Sequence, residues 1–596
     1  MIIKFLKHKW QRILATVLLL FVFLITVVAF FVNRYWSPIL ADKVRATVLE
    51  STDSLYQADF TDANLHIVQG KLVIFNLTLK PDSAVYQRRL KAGLAPNNLY
   101  TLKVKRIVLK RIHPLTLYFH KKLDIGQIIL SEPHLQITNR LNQKPDTLTK
   151  QLNTWQLIKG SLKSVHIGEV MLNDVKLMYK DYTGSKLDIA ELKEMNLLGK
   201  DLLIDSTTQN DTARYLYFKD IQLELNNFSR PSDNGLYQYK IKQLSYSSLT
   251  TQLQAYGVAL IPAPDSVFIN RKIGTWFAFD TDTLRLSNFD FKTYNKYRLF
   301  KTTKALLSRG NLVVFTSPAV TGVKKSNRLL TFPHVAIRKL KHDFTLDTVE
   351  LQRIHITHKA YGKKSHKPGW VSFNNTNGIV YNITNNANAL RKNNITQIHL
   401  HSYLMDSGPL QADFTFNLTD SARSYTYKGT VGDMDLDKLN KATMPFGLVK
   451  ITSGKLHQLS FDIKADRYGS KGNIGFLYYD LKVHILKIDS AANEYRHRGI
   501  ASLFANALIV KRNNPDYLGG IPRTFEINTV RQPDMAFFKG IWQTLSTGIK
   551  SIAGYDEATE KEVKQHIAQH NADRNRRQLK KALRKQRRAL RKRNRN

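Results

Sequence analysis

No cysteine occurs among the 596 residues of this chain. That excludes disulfides, thiolate metal sites and cysteine nucleophiles together. The absence is compatible with an oxidising bacterial envelope and less usual for a secreted eukaryotic protein of this size. Linkers rich in proline, glycine and serine are also missing from the middle of the chain. One continuous body or a repeat-like solenoid is therefore expected rather than a string of globules. Acid is scarce: 47 Asp and Glu stand against 90 Lys and Arg, a formal net charge of +43. Such a surplus favours anionic surfaces: phospholipid headgroups, lipopolysaccharide or nucleic acid.

Catalytic signatures are lacking as well. There is no nucleophile elbow, P-loop or dinucleotide fingerprint in a fitting context. Asp433-Met434-Asp435-Leu436-Asp437 imitates the start of a calcium loop, but Lys438 replaces the sixth-position glycine and Met444 the twelfth-position acid. It reads as a turn into a helix. His399 and His401 share one strand face, and His566 and His570 share one helix face, with Glu562 a step away. Neither pair has a full ligand set close in sequence, so solvated histidines are expected. The chain reads as a non-enzyme with no cofactor and no metal.

What is present begins with an apolar run from Ile13 to Val32, free of charge and about twenty residues long, enough to cross a bilayer as a helix. Lys4, Lys7, Lys9 and Arg12 precede it, and Tyr35 and Trp36 follow as interfacial anchors. A signal peptide would end on small residues, whereas this run ends in bulky Phe30, Phe31 and Val32. An uncleaved anchor is expected, with a cytoplasmic N-terminus and the bulk of the chain on the far side. Nucleic acid is then the least accessible anionic partner.

An eight-residue pattern recurs after the anchor: apolar, any, apolar, two mixed residues, apolar, any, apolar. It reads Leu72-Ile74-Leu77-Leu79, Ile128-Leu130-Pro133-Leu135 and Val170-Leu172-Val175-Leu177. It returns as Leu284-Leu286-Phe289-Phe291 and Val349-Leu351-Ile354-Ile356, and more weakly as Leu244-Tyr246-Leu249 with Thr251 in the last place. Each half has the period of two of a strand with one buried face. The doubled gap would flip the second half to the other face unless a β-bulge absorbs one residue. Gap pairs such as Ser131-Glu132, Asn173-Asp174, Ser287-Asn288 and Gln352-Arg353 suit a bulge.

The pattern predicts a mainly β protein: an elongated, twisted antiparallel sheet forming a groove of repeated bulged strands. The expected divisions are 1–36 (basic flank and anchor), 37–62 (linking helix), 63–490 (β body), 491–557 (C-terminal segment) and 558–596 (basic tail). Within the C-terminal segment, Phe537, Phe538, Ile541, Trp542, Leu545, Ile549 and Ile552 recur at helical spacing. This amphipathic helix either packs on the sheet, lies on a membrane or plugs the end of a groove. The tail, helical by propensity, is rich in cations, among them Arg576, Arg577, Lys580, Lys581, Arg584 and Lys585. The aromatic stripe and these cations are expected to act together at an anionic membrane surface.

Three stretches resemble the AsmA-like family of bacterial envelope proteins, which includes bridge-like lipid-transfer proteins. They are Leu65 to Leu79, the paired Ile125-Gly126-Gln127-Ile128 and Ile167-Gly168-Glu169-Val170, and Val449 to Leu456 followed by Gly472 to Leu481. The resemblance implies a single-pass inner-membrane anchor, a periplasmic β groove, and a role in moving phospholipid to the outer membrane or keeping that membrane in order. The basic tail is not a general feature of the family. Expected partners are phospholipid, the inner membrane, and outer-membrane or other envelope proteins. The residues expected to line the groove are Leu72, Ile74, Leu77, Leu79, Ile128, Leu130, Leu135, Val170, Leu172, Leu177, Val349 and Leu351. One-face-apolar strands can equally hide their faces in filled β-sandwiches. That arrangement predicts an envelope scaffold whose basic surface binds lipopolysaccharide or cell-wall polymer.

Overall fold

The structure is a computed structural model. It describes residues 46–66, 70–140, 162–182, 187–294, 299–316, 328–489, 494–497, 510–555 and 575–587, apart from isolated positions within these ranges, together with a few positions between them. Strand accounts for 57% of the chain and helix for 20%, so the protein is mainly β, with one large mixed sheet of 23 strands. The anchor expected over Ile13–Val32 lies outside the described residues. Among the described residues no helix is long and apolar enough to cross a membrane.

The chain forms two compact units. The first comprises residues up to Ser232, with Gln238–Ala259 and Asp282–Ala305. It opens with helical residues 46 and 48–50, then β1 (Tyr56–Asp59) and β2 (Asp62–His66), so the expected linking helix over 37–62 gives way to strand before its end. There follow β3 (Lys71–Pro81), α1 (Ser83–Lys91), β4 (Asn98–Ile112), α2 (Pro114–His120), β5 (Lys122–Ser131), β6 (His134–Asn139), β7 (Ser164–Asp181), β8 (Asp188–Ile204) and β9 (Phe218–Pro231). Strands β10 (Tyr237–Ser247), β11 (Gln252–Pro262), β12 (Thr275–Ser287) and β13 (Phe300–Thr316) divide their residues between the units, and α3 (Asp265–Asn270) belongs to the second.

The gaps in the repeated pattern share one backbone conformation; those at Asn76, Asp174 and Arg353 lie within strands, whereas β5 ends at Ser131 and β12 at Ser287, so the copies at Ile128 and Leu284 are not single bulged strands as expected. Asn76, Glu132, Asp174, Asn288 and Arg353, the second gap residue of each clear copy, have φ of +52°, +51°, +56°, +55° and +55°. Asparagine and aspartate tolerate this left-handed conformation better than most residues. In the first unit the expected change of register at the gap is absent between β3 and β4: Phe75 faces Arg106 and Leu77 faces Val104, without slippage. β4 carries the same spacing in Leu102, Val104, Ile107 and Leu109. Each strand inserts its extra residue at the same level, so the ladder kinks as a whole and pairing survives. Where the gaps of two strands stand at different levels register does shift, as between Leu172 and Val175 against β8, whose own gap lies between Leu192 and Met195.

Asp174→Val should cost more than the roughly 1–2 kcal/mol usual for a side chain forced into this conformation, because valine is β-branched. Asp174→Gly should be close to neutral. Urea midpoints of the two variants against the wild type measure the difference.

Two further expectations need correction. The sheet is mixed, because β5 and β6 pair in parallel with β7, through Ile125 facing Ile167 and Leu135 facing Leu177. The chain crosses over between residues 140 and 163 where a hairpin would have reversed it. The weak copy at Leu244 to Thr251 is no continuous strand either. β10 ends at Ser247, and Leu249 is 61% exposed in the following turn. Buried Asp220 imposes that turn by accepting hydrogen bonds from the Leu249 N–H (3.0 Å) and the Ser247 hydroxyl (2.9 Å). Burial alone would raise its pKa, but these bonds and one from Gln222 hold the carboxyl below its usual range.

The second unit comprises Asp233–Tyr237, Leu260–Thr281 and residues from Leu306 onward. Its elements are α4 (Pro333–Arg338), β14 (Phe344–Tyr361), β15 (Pro368–Thr384), α5 (Ala387–Lys392), β16 (Ile395–Leu404), β17 (Gly408–Asn417), β18 (Tyr425–Val431) and β19 (Met434–Asp435). They continue with α6 (Asn440–Gly447), β20 (Val449–Ala465), β21 (Gly469–Asp489), β22 (Glu494–His497), β23 (Thr524–Val530) and α7 (Phe537–Ile552). From β14 to β18 each strand pairs antiparallel with the next; β18 and β19 both pair with β20, and β21 follows. The calcium-loop mimic lies at β19, and the chain runs from it through a 3-10 turn into α6.

Candidate functional site

The repeated pattern brings its apolar residues into rows across neighbouring strands. In the first unit Leu72 faces Leu109, which faces Ile128, which faces Val170. A second row runs Ile74, Ile107, Leu130, Leu172, Leu197, Leu223 and Tyr246. Beyond the bulges, Leu79, Leu102, Leu135, Leu177 and Leu192 form a third. The Ile125-Gly126 and Ile167-Gly168 segments lie side by side, and a Cβ on Gly168 would stand 2.6 Å from the Gly126 carbonyl oxygen. Only glycine permits that approach.

This face is largely covered. Leu72, Ile74, Leu77, Ile128, Leu130 and Val170 are buried in one cluster with Val48, Leu117 and Leu162, against which Trp155, Leu79 and Leu172 pack. Leu177 is buried in an adjoining cluster, where Leu135 is half-buried. Sequence reading finds strands at Leu102 to Leu109 and Phe218 to Leu225 but not the copies of the pattern within them: β4 carries one, and so does β9, where Leu223, Leu225 and Phe228 repeat the spacing around Asn227 at φ +51°. The same apolar spacing was available in both.

In the second unit the corresponding face is partly open, although Ile398, Leu404 and Phe414 pack against a buried cluster. Val349 faces Val380, Leu351 faces Gly378 and Ile356 faces Phe373. Val380 faces Ile398, Gly378 faces Leu400 and Phe373 faces Leu404. Ile398 then faces Phe414. Val349 and Ile354 are buried, yet Leu351, Ile356, Phe373, Val380, Ile398, Leu400, Leu404 and Phe414 all keep partial exposure. The opposite face of β16 is exposed and polar, with Gln397, His399, His401 and Tyr403. Buried hydroxyls on the apolar face are internally satisfied: Thr376 bonds Ser402 at 2.9 Å, and Thr396 donates to the Asn382 carbonyl at 2.7 Å. These pairs lie beside the bulges at Asn375 and Asn382, both at positive φ. They add no unsatisfied polar group to the apolar strip.

The strip ends under helices. Phe414, Phe416, Tyr425 and Tyr427 stack along β17 and β18, and Phe537 of α7 caps them, 5.9 Å from Phe416 and 5.3 Å from Tyr425 between ring centroids. Gly548 lets α7 sit close on β21, since a Cβ there would stand 2.5 Å from Ile474. Of the expected membrane-surface residues, Phe537 is buried and Ile541 packs on this core, whereas Phe538 and Trp542 are 58% and 42% exposed. Arg576, Arg577, Lys580, Lys581, Arg584 and Lys585 lie exposed on a helix over 575–587.

The remaining candidates hold polar contacts. His399 pairs with Asp413 at 2.6 Å, and Asp433 with His457 at 3.0 Å. His566 and His570 lie outside the described residues. His166 bridges Asp124 (2.8 Å) and Asp201 (3.2 Å), and Arg214 pairs with Asp201 at 2.9 Å. Burial works against ionisation of Asp201, but the Arg214 guanidinium outweighs it and keeps the pKa low. Among the described residues no group of three or more His, Asp or Glu could hold a metal ion. A shallow concavity of about 550 Å³ lies over the bulges of β14 and β15, lined by residues including Glu350, Arg353, Asn375 and Asn377. No protein-family model matches the sequence, and no curated protein matches it.

Proposed function

We propose that this is a membrane-anchored, non-catalytic protein of the bacterial envelope that binds or conducts phospholipid along its apolar sheet face, in support of the outer membrane. The observation that carries this reading is the half-exposed strip across β14–β17, apolar over several neighbouring strands and walled by a polar outer face. Water on so much aliphatic surface is unfavourable by about 25 cal/mol per Å². Acyl chains would relieve that cost without demanding any directed polar partner. The expected anchor at Ile13–Val32 gives the chain direct access to a bilayer. The AsmA-like resemblance points the same way.

The rival scaffold reading draws support from the first unit, whose face is filled by its own side chains. The two are separated by the phospholipid-to-protein ratio of the detergent-purified full chain, measured by mass spectrometry beside the Leu351→Asp/Leu400→Asp variant. Lipid around the anchor is common to both proteins and cancels. The lipid reading expects a lower ratio in the variant. Equal ratios support the scaffold.

A further inference from the structure

A loop in the second unit carries its apolar residues outward. Tyr517, Leu518 and Ile521 are 73%, 103% and 94% exposed, three large apolar side chains within five positions. Single exposed hydrophobics are ordinary, but a cluster at one tip marks a contact surface. Gly519, at φ +79°, occupies the left-handed place of the turn, and the Gly520 N–H donates to the Tyr517 carbonyl at 3.0 Å.

The base of the loop is clamped. Asn514 is buried; its amide donates to the carbonyls of Phe476 (2.6 Å) and Arg523 (2.9 Å) and accepts from the Arg523 N–H (2.7 Å). Arg523 pairs with Asp516 at 2.6 Å and donates to the Ile552 carbonyl at 3.1 Å. The tip is thus held out from a rigid base, joined to the last turn of α7. A preorganised apolar tip loses little conformational entropy when it finds its partner. Charge indicates which partner. Between residues 510 and 555 six basic residues stand against three acidic ones, and the helix over 575–587, tethered to the end of α7, carries seven basic residues and no acidic one.

We propose that this loop docks the protein on an anionic phospholipid bilayer, with Leu518 and Ile521 entering the acyl region and Tyr517 lying at the headgroup level. The two aliphatic residues supply apolar insertion and the net positive charge of the C-terminal region supplies attraction to lipid phosphate, the usual pairing for reversible surface binding. The contact does not depend on what the sheet holds, so it can fail while the lipid-binding reading stands.

Absence of cysteine makes the test direct. Leu518→Cys gives a unique site for an environment-sensitive fluorophore, and Lys364→Cys, exposed on another loop of the same unit, gives a control. The labelled full chain is reconstituted in phosphatidylcholine liposomes and mixed with protein-free vesicles of phosphatidylcholine alone or rich in phosphatidylglycerol. Emission at position 518 should rise and shift to the blue with the anionic vesicles only, and position 364 should not respond. Leu518→Ser/Ile521→Ser should lower capture of anionic vesicles by roughly tenfold or more, the scale for losing aliphatic insertion. A label at 518 that stays in water with both vesicle types overturns the proposal and leaves the tip to a protein contact. An equal response to neutral and anionic vesicles overturns it as well.

Discussion

Ile107→Asp is expected to unfold the first unit, whereas Leu400→Asp should leave the second folded. Ile107 is fully buried between Ile74 and Leu130 in the filled cluster. A carboxylate there would lie among the apolar side chains of that cluster, and burying a charge unpaired costs several kcal/mol. Domain stabilities are commonly about 5–15 kcal/mol, so most of the margin disappears. Leu400 lies over Gly378 on the half-exposed strip, where an aspartate can remain hydrated. Its expected cost is about 1–2 kcal/mol, within the range of ordinary substitutions. Limited proteolysis and thermal melting of both variants measure the contrast. Equal collapse would mean that the β14–β17 strip is a closed core.

Acid should weaken the second unit through His334. This residue is 1% exposed, with Phe332, Phe416 and Tyr425 around its ring. Burial pushes its pKa down from 6.5 to about 4; the Arg423 backbone and the Asp420 carboxylate oppose the shift, and the Arg423 charge assists it. Arg531 stands over the adjacent Phe332 ring at 4.9 Å and adds a further cation nearby. The native state therefore keeps His334 neutral where the unfolded chain protonates it. Stability is complete above about pH 6.5 and falls as pH drops toward 4, by about 3 kcal/mol in all. His334→Leu should remove this component, so its urea midpoint should fall less between pH 6.5 and 4 than that of the wild type. Identical pH dependence in both proteins would show that His334 does not carry the effect.

The bulges were legible because the spacing of apolar residues and the polar character of the gaps report the same local event. The strand at Leu102 to Leu109 was legible, but the copy of the pattern in it was not, because its gap, Lys105-Arg106, reads as one more piece of a basic run. Strand direction was not legible at all: a period of two is the same in parallel and antiparallel ladders, so the β5–β7 step required the structure. The C-terminal helix was visible as apolar, but its orientation was not. Phe537 and Phe538 differ by about 100° around the axis. Small residues chose between them: Gly548 and Thr544 share the buried side with Phe537, and their size sets how closely α7 approaches β21. A reading by hydrophobicity passes over such positions. Openness was equally hidden, since Ile74 and Leu351 occupy equivalent places in the pattern. Ile74 is buried in a cluster with Val48 and Leu162, distant in sequence, against which Trp155 packs, while Leu351 stays partly exposed. The docking loop carries no periodicity, and only its exposure marks it.

Strand β16 offers the most direct test of the proposed lipid path, because its two faces alternate residue by residue. A photoreactive amino acid is placed at Ile398 or Leu400 on the apolar face, and at His399 or His401 on the exposed face. The full chain is irradiated in its native membrane and the adducts are identified by mass spectrometry. The account predicts phospholipid adducts at 398 and 400 and none at 399 and 401. Adducts to neighbouring protein side chains alone at 398 and 400, or lipid captured equally on both faces, would contradict it.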